Sequence, residues 1–110
     1  MTVNEVTDIL QAKRVSGDDD REITGIYTGD LLSWVISHAG PGDMWVTVMN
    51  NLNILAVASL TEAACIVVTD NSGVDREVVR RAEEQEITIL VTEKSSAEVV
   101  WKVAKALGKI

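Results

Sequence analysis

The sequence predicts an α/β protein, a three-layer sandwich around a mostly parallel or mixed sheet of about 4–5 strands. Three observations carry this. From residue 22 onward, short β-rich apolar runs alternate with helical-period segments in the order βαβαβαβα. The runs at 65–69 and 88–92 are continuously apolar, as in strands buried on both faces. Each run ends in a short polar corner, and such alternation implies parallel strands joined by helices that cross over in a consistent sense.

Taken in order, residues 2–12 form the first expected helix. Thr2 and Glu5 have capping-box spacing, and Val3, Val6, Ile9 and Leu10 make one apolar face. Residues 13–16 read as a short strand, and Gly17-Asp-Asp-Asp20 as a solvated turn. A strand over 22–28 then reaches the corner around which the chain is organised, Thr28-Gly29-Asp30. Here Gly29 is expected to take a positive φ and Asp30 to cap a helix running to about residue 39. Leu31, Leu32, Val35 and Ile36 supply its apolar face. Gly40-Pro41-Gly42-Asp43 is a turn into a strand at 44–48.

After the Asn50–Asn53 corner, residues 54–64 read as an Ala-rich helix that packs closely on a sheet. The strand at 65–69 leads through Asp70-Asn71-Ser72-Gly73 to a polar helix over 75–85, with Val78, Val79 and Ala82 turned inward. The strand at 88–92 and a helix over 96–107 close the chain, with Ser95 and Glu98 at capping distance and Gly108 as C-cap. No linker or compositional shift divides the chain, so residues 1–110 are read as a single domain.

The totals exclude several function classes. With 17 acidic and 10 basic residues the formal charge is −7. Such a chain gains nothing from neutralising a phosphate backbone, so neither nucleic acid nor an anionic membrane is an expected partner. No signal peptide and no spanning segment is evident, and one cysteine cannot form an internal disulfide. These features place the protein in the cytoplasm.

Among chemical motifs, the phosphate loop and the glycine-rich dinucleotide fingerprint are both missing. His38, the one histidine, falls near a helix C-terminus, where a protonated imidazole is favoured and capping is expected. Cys65 begins an apolar strand and reads as a small core hydrophobe. Nothing arranges His, Cys and carboxylates with metal-ligand spacing, so no metal and no cofactor is expected. Trp101 lies beside the apolar face of the last helix, where core packing and dimerisation compete.

What remains is the carboxyl edge of the sheet. Thr28, Gly29, Asp30, Ser33, Thr47, Asn50, Asn51 and Asn53 gather hydroxyls, amides and helix starts where open α/β sheets bind ligands. The same residue types are ordinary caps and turn formers, so a capping role and a ligand role both stand at this point. Three Asn around one short corner exceed what capping requires.

Asp20-Arg-Glu-Ile-Thr-Gly25, Gly29-Asp-Leu-Leu-Ser33, Gly42-Asp-Met-Trp-Val-Thr47 and Asn51-Leu-Asn-Ile-Leu-Ala-Val-Ala-Ser-Leu60 together resemble the DRTGG domain family over essentially the whole chain. The literal string Asp-Arg-Thr-Gly-Gly is absent. The resemblance implies an α/β domain similar to the N-terminal domain of HPr kinase/phosphorylase, without the kinase's phosphate loop. It further implies a stand-alone regulatory domain of an anaerobic bacterium, homodimeric and associated with iron-only hydrogenase genes. The expectation is a non-catalytic regulatory or interaction domain that senses a small polar or anionic metabolite at the sheet edge, linked to hydrogenase or carbohydrate and redox metabolism, with a hydrogenase-related protein as a partner. The alternatives are a small enzyme with Asp30 as base and a purely structural partner of a redox complex.

Overall fold

The computed structural model describes residues 1–110. The elements run α1 (Val3–Leu10), β1 (Lys13–Ser16), β2 (Gly25–Thr28), α2 (Leu32–His38), β3 (Asp43–Thr47), α3 (Asn53–Thr61), β4 (Cys65–Val68), α4 (Arg76–Glu84), β5 (Ile89–Val91) and α5 (Ser96–Ala106). The strands form one five-stranded sheet in the order β1-β5-β4-β3-β2. Strands β2 to β5 are parallel to their neighbours, and β1 joins β5 antiparallel. The sheet is therefore mostly parallel and mixed at one edge, as expected from the sequence.

Alternation along each strand divides the apolar residues between two cores. Met44, Val46, Cys65, Val67 and Leu90 face one side, where Val3, Val6 and Leu10 of α1 and Val99 and Val103 of α5 close over them. Trp45, Ile66, Val68 and Ile89 face the other, under Val35 of α2, Ile54 and Ala58 of α3, and Val78 and Ala82 of α4. Each large side chain so buried contributes about 1.5–3 kcal/mol relative to exposure. Three layers result: α1 and α5, the sheet, then α2, α3 and α4.

The strand order follows from the connections. Each crossover from β2 to β5 moves one place along the sheet, so α2, α3 and α4 lie on the same face. After β5 the chain crosses to the opposite face to form α5. Connections that diverge to opposite faces leave a crevice between them at the carboxyl ends of their strands. In this sheet that place lies between β4 and β5.

Several local expectations are corrected. The strand expected over 22–28 begins at Gly25, because Glu22 instead pairs with Thr2 in an isolated antiparallel bridge. Gly29 does not take a positive φ; the glycines that do are Gly17, Gly42, Gly73 and Gly108. At Gly29 a Cβ would meet the Tyr27 ring at 3.2 Å, so the glycine admits the aromatic side chain rather than a left-handed turn. Neither Asp30 nor Asn53 caps a helix: the N-cap residues of α2 and α3 are Leu31 and Leu52, and neither makes a side-chain cap bond. The capping box at Thr2 and the cap at Ser95 form with the spacing read from the sequence, and Asp75, read as the first residue of its helix, is the N-cap of α4.

Candidate functional site

The carboxyl edge is built by cross-links between neighbouring corners. Asp30 Oδ1 accepts the Thr47 hydroxyl at 2.8 Å and the Val48 N–H at 2.9 Å, tying the β2–α2 corner to the β3–α3 corner. Thr47, 1% exposed, also accepts the Met49 N–H through Oγ1 at 3.1 Å. One corner further along, Ser72 Oγ donates to the Val48 carbonyl at 3.0 Å, and Asn50 Nδ2 donates to Ser72 Oγ at 3.2 Å. Asn51 Oδ1 accepts the Asn53 N–H at 2.9 Å, which fixes the turn entering α3. Next, the backbone N–H groups of Asp70 and Asn71 donate to the carbonyls of Lys94 and Thr92 at 2.9 and 3.0 Å. Asp70 and Asn71 both hold positive φ, at 60° and 56°, a conformation that Asp and Asn tolerate better than most residues.

Two hollows open on this edge. The first, about 420 Å³, is lined by Asn50, Asn51, Ser72, Gly73, Val74 and Asp75. The second, about 400 Å³, lies at the β4–β5 divergence and is lined by Gln11, Lys13, Asn71, Gly73, Val91, Thr92, Glu93 and Lys94. Gly73 belongs to both. Its φ of +66° suits glycine, and the space beside it is open.

The residues singled out from the sequence do not share one place. Asn50 and Asn51 line the first hollow. Asn53 is the exposed first residue of α3. Thr28 and Ser33 are exposed and line neither hollow. Gly29 accepts the Trp45 Nε1–H at its carbonyl, at 3.0 Å, and so anchors the buried indole. Asp30 and Thr47 form the corner latch described above. Of the lining of the second hollow, the sequence singles out neither Gln11 nor Lys13, and it presents Asn71, Gly73, Thr92, Glu93 and Lys94 only as parts of polar corners. Their corners were visible as polar breaks, but nothing local marks β4 and β5 as the strands whose connections diverge.

Other reactive groups are committed elsewhere. His38 Nδ1 lies 2.8 Å from the Trp34 carbonyl and 2.9 Å from Ser37 Oγ, and its ring stacks on Trp34 at 4.8 Å between centroids. His38 thus sits in the last turn of α2 with its ring turned to its own helix, while Ala39 is the C-cap. Cys65 is 1% exposed, and burial pushes its thiol up to about 12, against the pull of Arg14 and Arg21. No group of three or more His, Cys, Asp or Glu side chains is placed to hold a metal ion. No helix is long and apolar enough to cross a membrane.

The fold and its edge thus define a small α/β domain whose parallel strands end in cross-linked polar corners around two adjoining hollows. The family model of the DRTGG domain matches residues 5–106, and the chain belongs to that family. Its fold is similar to that of the CBS and DRTGG domains of the regulatory region of Clostridium perfringens pyrophosphatase, crystallised with its activator diadenosine tetraphosphate. That likeness has a TM-score of 0.76 at 13% identity, covering 96% of this chain and 46% of the other. This chain thus spans less than half the length of that regulatory region. No curated protein matches the sequence.

Proposed function

We propose that this chain is a non-catalytic regulatory domain that senses a small polar metabolite at the carboxyl edge of β3, β4 and β5. The observation that carries this reading is the pair of hollows that meet at Gly73, braced by inter-corner hydrogen bonds. Hollows of this size fall within the ~300–1,000 Å³ usual for small-molecule sites. The pyrophosphatase regulatory region, which binds a nucleotide activator, supports regulation by a small ligand as the role of this domain. Against catalysis stand a thiol held protonated in the core and an imidazole nitrogen turned to its own helix end.

The proposed assembly is a homodimer. Leu31, Trp34 and Leu60 are 62%, 57% and 69% exposed on or beside α2 and α3, which pack side by side. Exposed apolar side chains on adjoining helices favour burial against a second protein surface. The family resemblance supports a hydrogenase-related protein as a further partner, and a lone buried thiol supports a reducing cytoplasm.

A thermal-shift screen with nucleotides and sugar phosphates tests the sensing role, because a ligand that binds only the folded state raises Tm. The expected result is a rise in Tm, with NMR amide-shift changes confined to the 47–53, 69–75 and 92–95 corners and to residues 11–13 at the rim of the second hollow. A screen without any response, or changes mapping to the opposite edge, sinks the reading.

A further inference from the structure

We propose that the hollow at the β4–β5 divergence is the binding site for a phosphorylated polyol, with Lys13 and Lys94 holding its phosphate. This rests on the edge-site reading above and assigns both the hollow and the ligand class within it. Position is the first argument. The chain leaves β4 toward α4 on one face and leaves β5 toward α5 on the other, so the crevice of an open α/β sheet falls here. The antiparallel pairing of Lys13 with Val91 then brings the start of β1 and the end of α1 to its rim.

The walls are preformed. The bonds from Asp70 and Asn71 to the Lys94 and Thr92 carbonyls fix the two corners to each other. Lys94 Nζ donates to the Leu10 carbonyl at 2.8 Å, which ties the C-terminus of α1 to the same corner. A ligand would therefore meet a site that needs little ordering, which favours affinity.

The side-chain chemistry selects the ligand. Lys94 spends one N–H on Leu10 and keeps two, while Lys13 is exposed and engaged in none of the protein's ion pairs. Two lysines lining one hollow stand out in a chain of charge −7, and a pair of ammonium groups matches a dianionic phosphate. The remaining polar lining is two amides, Gln11 and Asn71, the Thr92 hydroxyl and the Glu93 carboxylate. The amides both donate to and accept from sugar hydroxyls, and the carboxylate accepts from them. Glu93 would repel a second phosphate, and no aromatic ring lines the hollow to stack a nucleobase. A sugar phosphate fits this lining better than a nucleotide.

Titration of the full chain with glucose 6-phosphate, fructose 6-phosphate and glycerol 3-phosphate, followed by amide shifts and calorimetry, tests the assignment. Glucose and inorganic phosphate alone report the two halves of the ligand, and ATP reports the nucleotide alternative. Shifts at Gln11, Asn71, Gly73, Thr92 and Glu93 are expected with at least one sugar phosphate, with weaker binding of either half. Lys13→Met, an exposed position, should raise Kd about tenfold while leaving Tm without ligand unchanged. The proposal is overturned if no sugar phosphate binds, if ATP binds more tightly, or if Lys13→Met binds as the wild type does. Binding that maps instead to Asn50, Asn51 and Ser72 and ignores Lys13 removes this assignment but leaves the edge-site reading standing. The absence of binding by any metabolite removes both.

Discussion

Asp30 shows how one carboxylate can organise an edge through hydrogen bonds within the chain. Its Oδ1 satisfies the Thr47 hydroxyl and the Val48 N–H together, so the corners after β2 and β3 are held as one unit. Asp30→Ala leaves a hydroxyl on a residue 1% exposed without its acceptor and frees a backbone donor. Loss of these charge-assisted bonds should cost about 1–3 kcal/mol in urea unfolding. Asp30→Asn retains one acceptor oxygen and should cost less than Asp30→Ala. Equal stability of all three proteins would show that the latch contributes nothing. The sequence places Asp30 at the right corner with the wrong partner: its capping propensity is visible locally, whereas its acceptor role depends on residues 17 and 18 positions away.

Elements whose ends are decided within one turn were legible; those decided by a neighbouring strand were not. Thr2 and Ser95 each accept the N–H three residues on, a relation written in the spacing itself, and Asp75, read as the first helical residue, does the same one position outside α4. Strand faces were legible for the same reason, since alternation sends Trp45 and Ile66 to one core and Met44 and Cys65 to the other. The start of α2 was not, because the sheet had recruited Asp30. The second hollow was not either, because Lys13 and Thr92 meet only through the β1–β5 pairing, and strand order leaves no local mark. Caps also allow an element to be tested by itself. Ser95 Oγ accepts the Glu98 N–H at 3.2 Å at the head of the eleven-residue α5. Ser95→Ala should lower stability by about 0.5–2 kcal/mol, and Ser95→Asp should restore most of it. Chemical denaturation of the three proteins decides the point, and an unchanged midpoint for Ser95→Ala would remove the cap from the account.

At the scale of the whole molecule, charge and exposed apolar surface act in opposition. Each copy carries −7, so two copies repel at long range, and association must come from apolar burial at close range. The proposed dimer through α2 and α3 therefore has a definite salt response. Raising ionic strength screens the repulsion and leaves the apolar contact in place, so the dimer should tighten with salt. An interface held by ion pairs would loosen instead. Trp34→Glu combined with Leu60→Glu adds two negative charges to exposed positions on these helices. Neither side chain belongs to the buried core, so the folded monomer should keep its circular dichroism. Light scattering should then give twice the 11.9 kDa chain mass for the wild type and the single-chain mass for the variant. A wild type that stays monomeric across concentration and salt, or a variant that dimerises equally well, would show that this surface is not the contact between copies.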